Sequence, residues 1–215
     1  MEKLTRINYD DVAILLIDHQ SGLFQTVKDI EVQTLRNNVS ALARLAALEN
    51  IPVIATASEP SGPNGPLMPE IQKLAPHTKY IGRKGEVNAW DNADFAEAVR
   101  ATGKKKLIIA GVLTSICVAF PAISAVAEGY EVFAVIDASG DMSTWSTHIT
   151  MNRLQMANVI PISTAAVISE VLKTWDKDFG VASEYAQILT LVMPNYQALI
   201  ESHVKAQEVA LQNNK

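Results

Sequence analysis

The chain carries one cysteine, Cys117, in 215 residues. An intrachain disulfide framework is therefore excluded, and a reducing compartment fits. Charge is sparse as well: Asp, Glu, Lys and Arg make up 19% of the residues, against ~25% in ordinary soluble domains. Some surface is then expected to be covered by partner subunits, unless a large single core accounts for the ratio. A net charge of −5 leaves no basic footprint, so nucleic acid is not an expected partner. The one basic run, at 104–106, follows Gly103 and reads as a solvated turn. Long apolar runs are missing too. They reach only about 5–8 residues, too short to cross a bilayer, and the polar stretch 1–10 lacks the marks of a signal peptide. A soluble, cytoplasmic protein with no membrane partner is the expectation. Phosphate-cradling glycine motifs are absent: the segment after the first apolar run, residues 18–22, reads DHQSG with a single glycine, which disfavours nucleotide binding of either standard kind. The four histidines, His19, His77, His148 and His203, are scattered without metal-ligand spacing, so neither a metal nor another cofactor is expected.

What is present is apolar sequence, 48% of the chain, arranged in two alternating periods. Residues 12–18, VAILLID, form a continuous apolar run ending in an acid, the pattern of a strand buried on both faces of a parallel sheet. Similar runs at 52–57, 106–112, 131–137 and 158–162, with a shorter one at 78–82, give six strands. Helical periodicity covers 30–50, 91–100, 116–129, 145–157, 164–175 and 194–209. The loop 58–66 holds three prolines and two glycines and is too irregular for an element. The alternation predicts an α/β fold of three layers, Rossmann-like, with a six-stranded, mostly parallel sheet and helices on both faces. One domain spans 1–215, with extra C-terminal helices over about 176–210 that would pack within the subunit or across an oligomer contact.

Candidate chemistry gathers where ligands bind in such sheets, outside the carboxyl ends of the strands. Asp18 ends the first strand, Lys84 follows the third, and Cys117 follows the fourth at a helix start. A helix N-terminus favours thiolate over thiol and offers N–H groups to a developing oxyanion. Each residue has an ordinary alternative. A lone cysteine is commonly a small buried hydrophobe, an acid at a strand end a cap, and a loop lysine a solvated charge.

The segments IDHQ at 17–20, RK at 83–84 and GVLTSICV at 111–118 together resemble the isochorismatase-like cysteine hydrolases, of the YcaC-type subgroup, over nearly the whole of 12–175. The resemblance implies a hydrolase acting on a small amide or other C–N substrate. Cys117 would be the nucleophile, Asp18 the base, and Lys84 the charge that holds Asp18 and favours the thiolate. It also implies a cis peptide at 112–113, an oxyanion hole from the Leu113 and Cys117 N–H groups, and a homo-oligomer, with an octamer as the suggested assembly. The metal-dependent amidases of the superfamily carry an Asp-x-His pattern after the second strand. Here that position reads Ser58, Glu59, Pro60, so no metal site of that kind is expected.

Gln20 and Phe24 follow Asp18 and are candidates for lining the pocket, with core packing the alternative for Phe24. Glu59 reads as a solvated loop acid within reach of the site. Trp90 and Trp145 could wall the pocket or meet another subunit, His148 reads as structural, and Asp137 and Asp141 as turn or cap residues. Two other functions remain open: a non-hydrolytic thiol protein working by redox or electrophile trapping, and a silent oligomeric scaffold.

Overall fold

Every residue of the first apolar run, Val12 to Ile17, is buried. This is β1 (Val12–Ile17), and it lies at the centre of one sheet with β2 (Val53–Ser58), β3 (Lys79–Arg83), β4 (Lys106–Gly111), β5 (Glu131–Val135) and β6 (Ile160–Ile162). The structure, a computed structural model, describes residues 6–213; the first half of the polar stretch 1–10 lies outside them. All five strand pairings are parallel, in the order β3-β2-β1-β4-β5-β6. The chain winds outward from β1 in one direction as far as β3, then crosses back to β4 and winds the other way. The reversal opens a crevice between the carboxyl ends of β1 and β4, the usual ligand site of such sheets.

Strand alternation sends the side chains of β1 to two separate cores. Val12, Ile14 and Leu16 face a cluster that includes Leu42, Val167 and Tyr185. Its helices are α1 (Val32–Leu48), the short α2 (Pro69–Leu74), α6 (Thr164–Leu172) and α7 (Phe179–Val192). Ala13, Leu15 and Ile17 face a cluster with Phe95, Val99, Ala122 and Leu154, on α3 (Ala93–Arg100), α4 (Ala119–Ala127) and α5 (Thr144–Met156). A final helix, α8 (Tyr196–Asn213), follows α7 and is largely exposed. Among the described residues, no helix is long and apolar enough to cross a membrane.

Two elements differ from the periodicity reading. The helix expected over 164–175 stops at Leu172, where Lys173 takes a positive φ of 62°, and α7 begins six residues later. Periodicity alone does not place α7. Its buried stripe, Tyr185, Ile188 and Leu189, joins the core under α1, so part of the C-terminal extension is core material. The helix expected from residue 116 begins instead with a π turn, Thr114–Val118, that runs into α4.

His19, just past β1, is fully buried. Its Nε2 lies 3.0 Å from the Ala138 carbonyl; a carbonyl only accepts, so Nε2 carries the proton. Burial pulls its pKa down to about 4, partly offset by that hydrogen bond. A histidine with a depressed folded pKa stabilises the fold above its unfolded pKa of ~6.5, and that contribution is lost as pH falls through the folded value. Thermal unfolding should therefore show stability falling from pH 6.5 toward pH 4, with a shallower fall in His19→Gln. Identical slopes for the two proteins would refute this.

Candidate active site

Asp18 follows β1 with a positive φ of 56°, a conformation that a short polar side chain tolerates better than most. Its side chain is 1% exposed. Oδ1 accepts the Ser58 N–H at 3.0 Å, and Oδ2 is paired with Nη2 of Arg83, whose own side chain is wholly buried. Arg83 is held from two further directions. Its Nε donates to Thr56 Oγ1 at 3.0 Å, and Nη1 donates to the Glu86 carbonyl. A buried ion pair is sustainable only when its remaining donors and acceptors are met in this way.

The cation beside Asp18 is thus Arg83 and not Lys84. Strand alternation is the reason: Arg83 is the last residue of β3 and turns inward, and the next residue must turn out. Lys84 is exposed, and its backbone N–H donates to Glu86 Oε2 at 2.9 Å. The dipeptide is visible in the sequence; which of its two cations is used depends on strand phase.

Cys117 sits in the π turn that follows β4. The Val112–Leu113 peptide is cis. Gly111 allows the two strand ends to approach closely, since a Cβ there would lie 2.5 Å from the Ile17 carbonyl oxygen. Below the turn, Asp141 accepts from the Ser115 N–H at 2.9 Å and the Ser115 hydroxyl at 3.0 Å. The Thr114 N–H donates to the Gly140 carbonyl. Asp141 is itself held by Asp29, which accepts its N–H at 2.7 Å. Asp137 accepts from Thr164 N–H and Oγ1 at the start of α6. Both acids therefore do the turn and cap work expected of them.

The thiol is not a preformed thiolate. Burial pushes its pKa up to about 12. The Asp18 carboxylate adds to this, both by its charge and by accepting the S–H; the Leu113 N–H and the Arg83 charge act in the opposite direction. Burial outweighs the depression expected from a helix N-terminus, and the N–H groups there are already used. Those of Ile116, Cys117 and Val118 all donate to the Leu113 carbonyl, at 3.2, 2.8 and 3.2 Å. Of the two expected oxyanion donors, the Leu113 N–H interacts with the sulfur, and the Cys117 N–H rests on the Leu113 carbonyl.

A cavity of about 360 Å³ opens over Cys117 and Asp18, walled by Leu23, Val87 and Ile116 and bordered by Glu59 and Glu86. Gln20 and Phe24 do not line it. Gln20 is buried and binds the loop 58–66 through the Ser58 N–H and carbonyl and the Gly65 carbonyl. Phe24 lies in the core, with the Arg36 guanidinium 5.7 Å from its ring centre. Trp90 is buried and donates to Glu128 at 2.7 Å. Trp145 is exposed on α5. His148 borders a separate depression of about 510 Å³ with Asp29 and Met151. Among the described residues, no three His, Cys, Asp or Glu side chains are grouped to hold a metal ion. Arg83, Leu23, Val87 and Glu86 are site residues that sequence reasoning misses. Only Arg83 carries a signal there, its place at the end of a strand.

Comparison with known proteins matches the isochorismatase domain family over residues 12–166. The Escherichia coli protein named Probable hydrolase YcaC is 46% identical over 199 residues, covering 92% of this chain and 94% of that one. Its crystal structure, described as an octameric hydrolase of unknown specificity, superposes with a TM-score of 0.90 at 43% identity, covering 96% of this chain and all of that one. YcaC from Pseudomonas aeruginosa, solved with hexane-2,5-diol and covalent acrylamide, gives a TM-score of 0.89 at 42% identity, covering 94% and 99%.

Arg83→Leu leaves a buried carboxylate unpaired and should destabilise the fold by about 3–5 kcal/mol. Lys84→Ala should change stability by less than about 0.5 kcal/mol. Denaturant titration of both variants checks the assignment, and equal effects would return the two cations to equal standing. For the thiol, the rate of iodoacetamide alkylation against pH should still be rising above ~8.5, the unperturbed value. Asp18→Asn should shift that profile downward, because it removes the negative charge and leaves Arg83 unopposed.

Proposed function

The chain belongs to the isochorismatase family, and from that premise we propose that it is a cysteine hydrolase of a small amide or related C–N substrate, working without a metal. The observation that carries the reading is the position of the Asp18 carboxylate, in contact at once with the Arg83 guanidinium and the Cys117 thiol under a cavity of small-molecule size.

A thiol whose pKa is pushed up to about 12 is a poor free nucleophile at neutral pH, so the proton must leave as the sulfur attacks. Asp18 accepts that proton while the Cys117 sulfur bonds to the carbonyl carbon. Arg83 keeps Asp18 oriented, and its positive charge stays beside the proton-transfer pair. The Leu113 N–H is the donor best placed for the oxygen of the tetrahedral adduct. When the adduct collapses, the C–N bond breaks, Asp18 returns the proton to the departing nitrogen, and a thioester remains on Cys117. Asp18, ionised again, takes a proton from water as its oxygen attacks the thioester. The acid leaves, and the proton passes back to the sulfur. The Pseudomonas aeruginosa relative carries covalent acrylamide, so a small neutral amide reacts with a protein of this kind. The octameric relative supports a homo-oligomer, and the exposed Trp145, Ile149 and Met156 on α5 are apolar surface available to a second copy.

With a panel of small amides followed by release of amine or ammonia, Cys117→Ala should abolish turnover. Asp18→Asn should lower kcat by about 10²–10⁴-fold, measured well below its unfolding midpoint because Arg83 is left buried without its counter-ion. Acid-quenched mass spectrometry should find the acyl group on Cys117. Turnover that survives in Cys117→Ala would end the proposal.

A further inference from the structure

One carboxylate at the cavity is left without a hydrogen-bond or ion-pair partner among the described residues. Asp18 is neutralised by Arg83. Glu86 is committed through both oxygens, accepting the Lys84 N–H at 2.9 Å and the Asn92 Nδ2 at 2.9 Å. The Glu59 carboxylate, on the same rim, has no hydrogen bond or ion pair to any of the described residues. Its backbone is fixed all the same: the Glu59 N–H donates to the Arg83 carbonyl at 3.1 Å, and its carbonyl accepts the Gly62 N–H at 2.8 Å. Glu59 holds a positive φ of 46°, immediately after β2. The carboxylate lies over Gly85, where a Cβ would sit 3.8 Å from Oε1, so no side chain at 85 intervenes. None of the residues lining the cavity is Lys, Arg or His.

From this uncommitted, exposed carboxylate on the rim of the cavity that holds Cys117, with Glu86 beside it and no cation in the lining, we infer that the cavity selects its substrate by charge. Glu59 receives a cationic nitrogen group, an ammonium, amidinium or guanidinium, at the end of the substrate remote from the scissile carbonyl. Substrates ending in a carboxylate are turned away. The inference rests on the hydrolase reading of the same cavity and adds the class of molecule that enters it. A fixed charge at the mouth of a cavity raises the local concentration of opposite charge and lowers that of like charge, an effect that salt screens.

Because Cys117 is the sole cysteine, thiol labelling reports this cavity alone. Three methanethiosulfonates of similar size serve as probes, with trimethylammonium-ethyl, ethyl and sulfonatoethyl groups. In each, the Cys117 sulfur displaces methanesulfinate, a mixed disulfide forms, and the thiol proton passes to solvent. Rates are normalised to a free thiol and measured on the full chain at low ionic strength. The cationic probe should react about tenfold faster than the anionic one. Glu59→Gln should shrink that preference several-fold, Glu86 on the same rim keeping a remainder of it, and Glu59→Arg should invert the order. The preference in the wild type should shrink with added salt. An unchanged ratio in Glu59→Gln, or an anionic probe that reacts faster in the wild type, would overturn the inference while leaving the hydrolase reading intact. Failure of all three probes to label Cys117 would overturn both.

Discussion

The site depends on the burial of a carboxylate and a guanidinium together. Asp18 and Arg83 are each withdrawn from water at a cost that only mutual contact and further hydrogen bonds offset. Their partners are spread over three neighbouring strands or the segments next to them: Thr56 and Ser58 on β2, Glu86 just beyond β3, and Cys117 beyond β4. Four chain segments are thereby required to meet at one point. The order β3-β2-β1-β4 puts the carboxylate between the cation on one side and the thiol on the other. Moving any one strand end would expose a charge or strand it in the interior.

The two-core arrangement serves the same end. β1 is buried on both faces, so it cannot slip by one residue without exchanging its even and odd side chains between two differently shaped clusters. Asp18 inherits that fixed register. On the other side of the crevice, the turn carrying Cys117 is held by Asp141, from the segment after β5, and behind it by Asp29, from the segment before α1. The thiol is thus positioned by polar contacts and the carboxylate by packing. Hydrogen bonds give direction to a turn, and apolar burial gives register to a strand.

Much of this arrangement is legible in the sequence. A both-faces-buried strand announces itself as an unbroken apolar run, so the runs place β1, β2, β4 and β5 to within two residues, with the crevice at their carboxyl ends. The meeting of Asp18 with Cys117 follows from topology. What stays hidden turns on single-residue phase or on through-space neighbours. Arg83 and Lys84 are adjacent cations, and only the phase of a short edge strand decides which one is buried. Gln20 looks like a pocket residue because it lies near Asp18 in sequence, yet its partners are the backbone of a proline-rich loop about forty residues on. The direction of the cysteine's pKa is hidden for a related reason. The helix-terminus argument counts free N–H groups, and nothing in the sequence reveals that three of them turn back on one carbonyl.

That convergence has its own consequence. A carbonyl oxygen has two lone pairs, and the oxygen of Leu113 is approached by three donors, so one of them is surplus. The turn can release the Cys117 N–H to a stronger acceptor while the Ile116 and Val118 donors still keep the carbonyl satisfied. Redundancy in the resting hydrogen bonding thus lets the turn shift at Cys117 without stranding the Leu113 carbonyl.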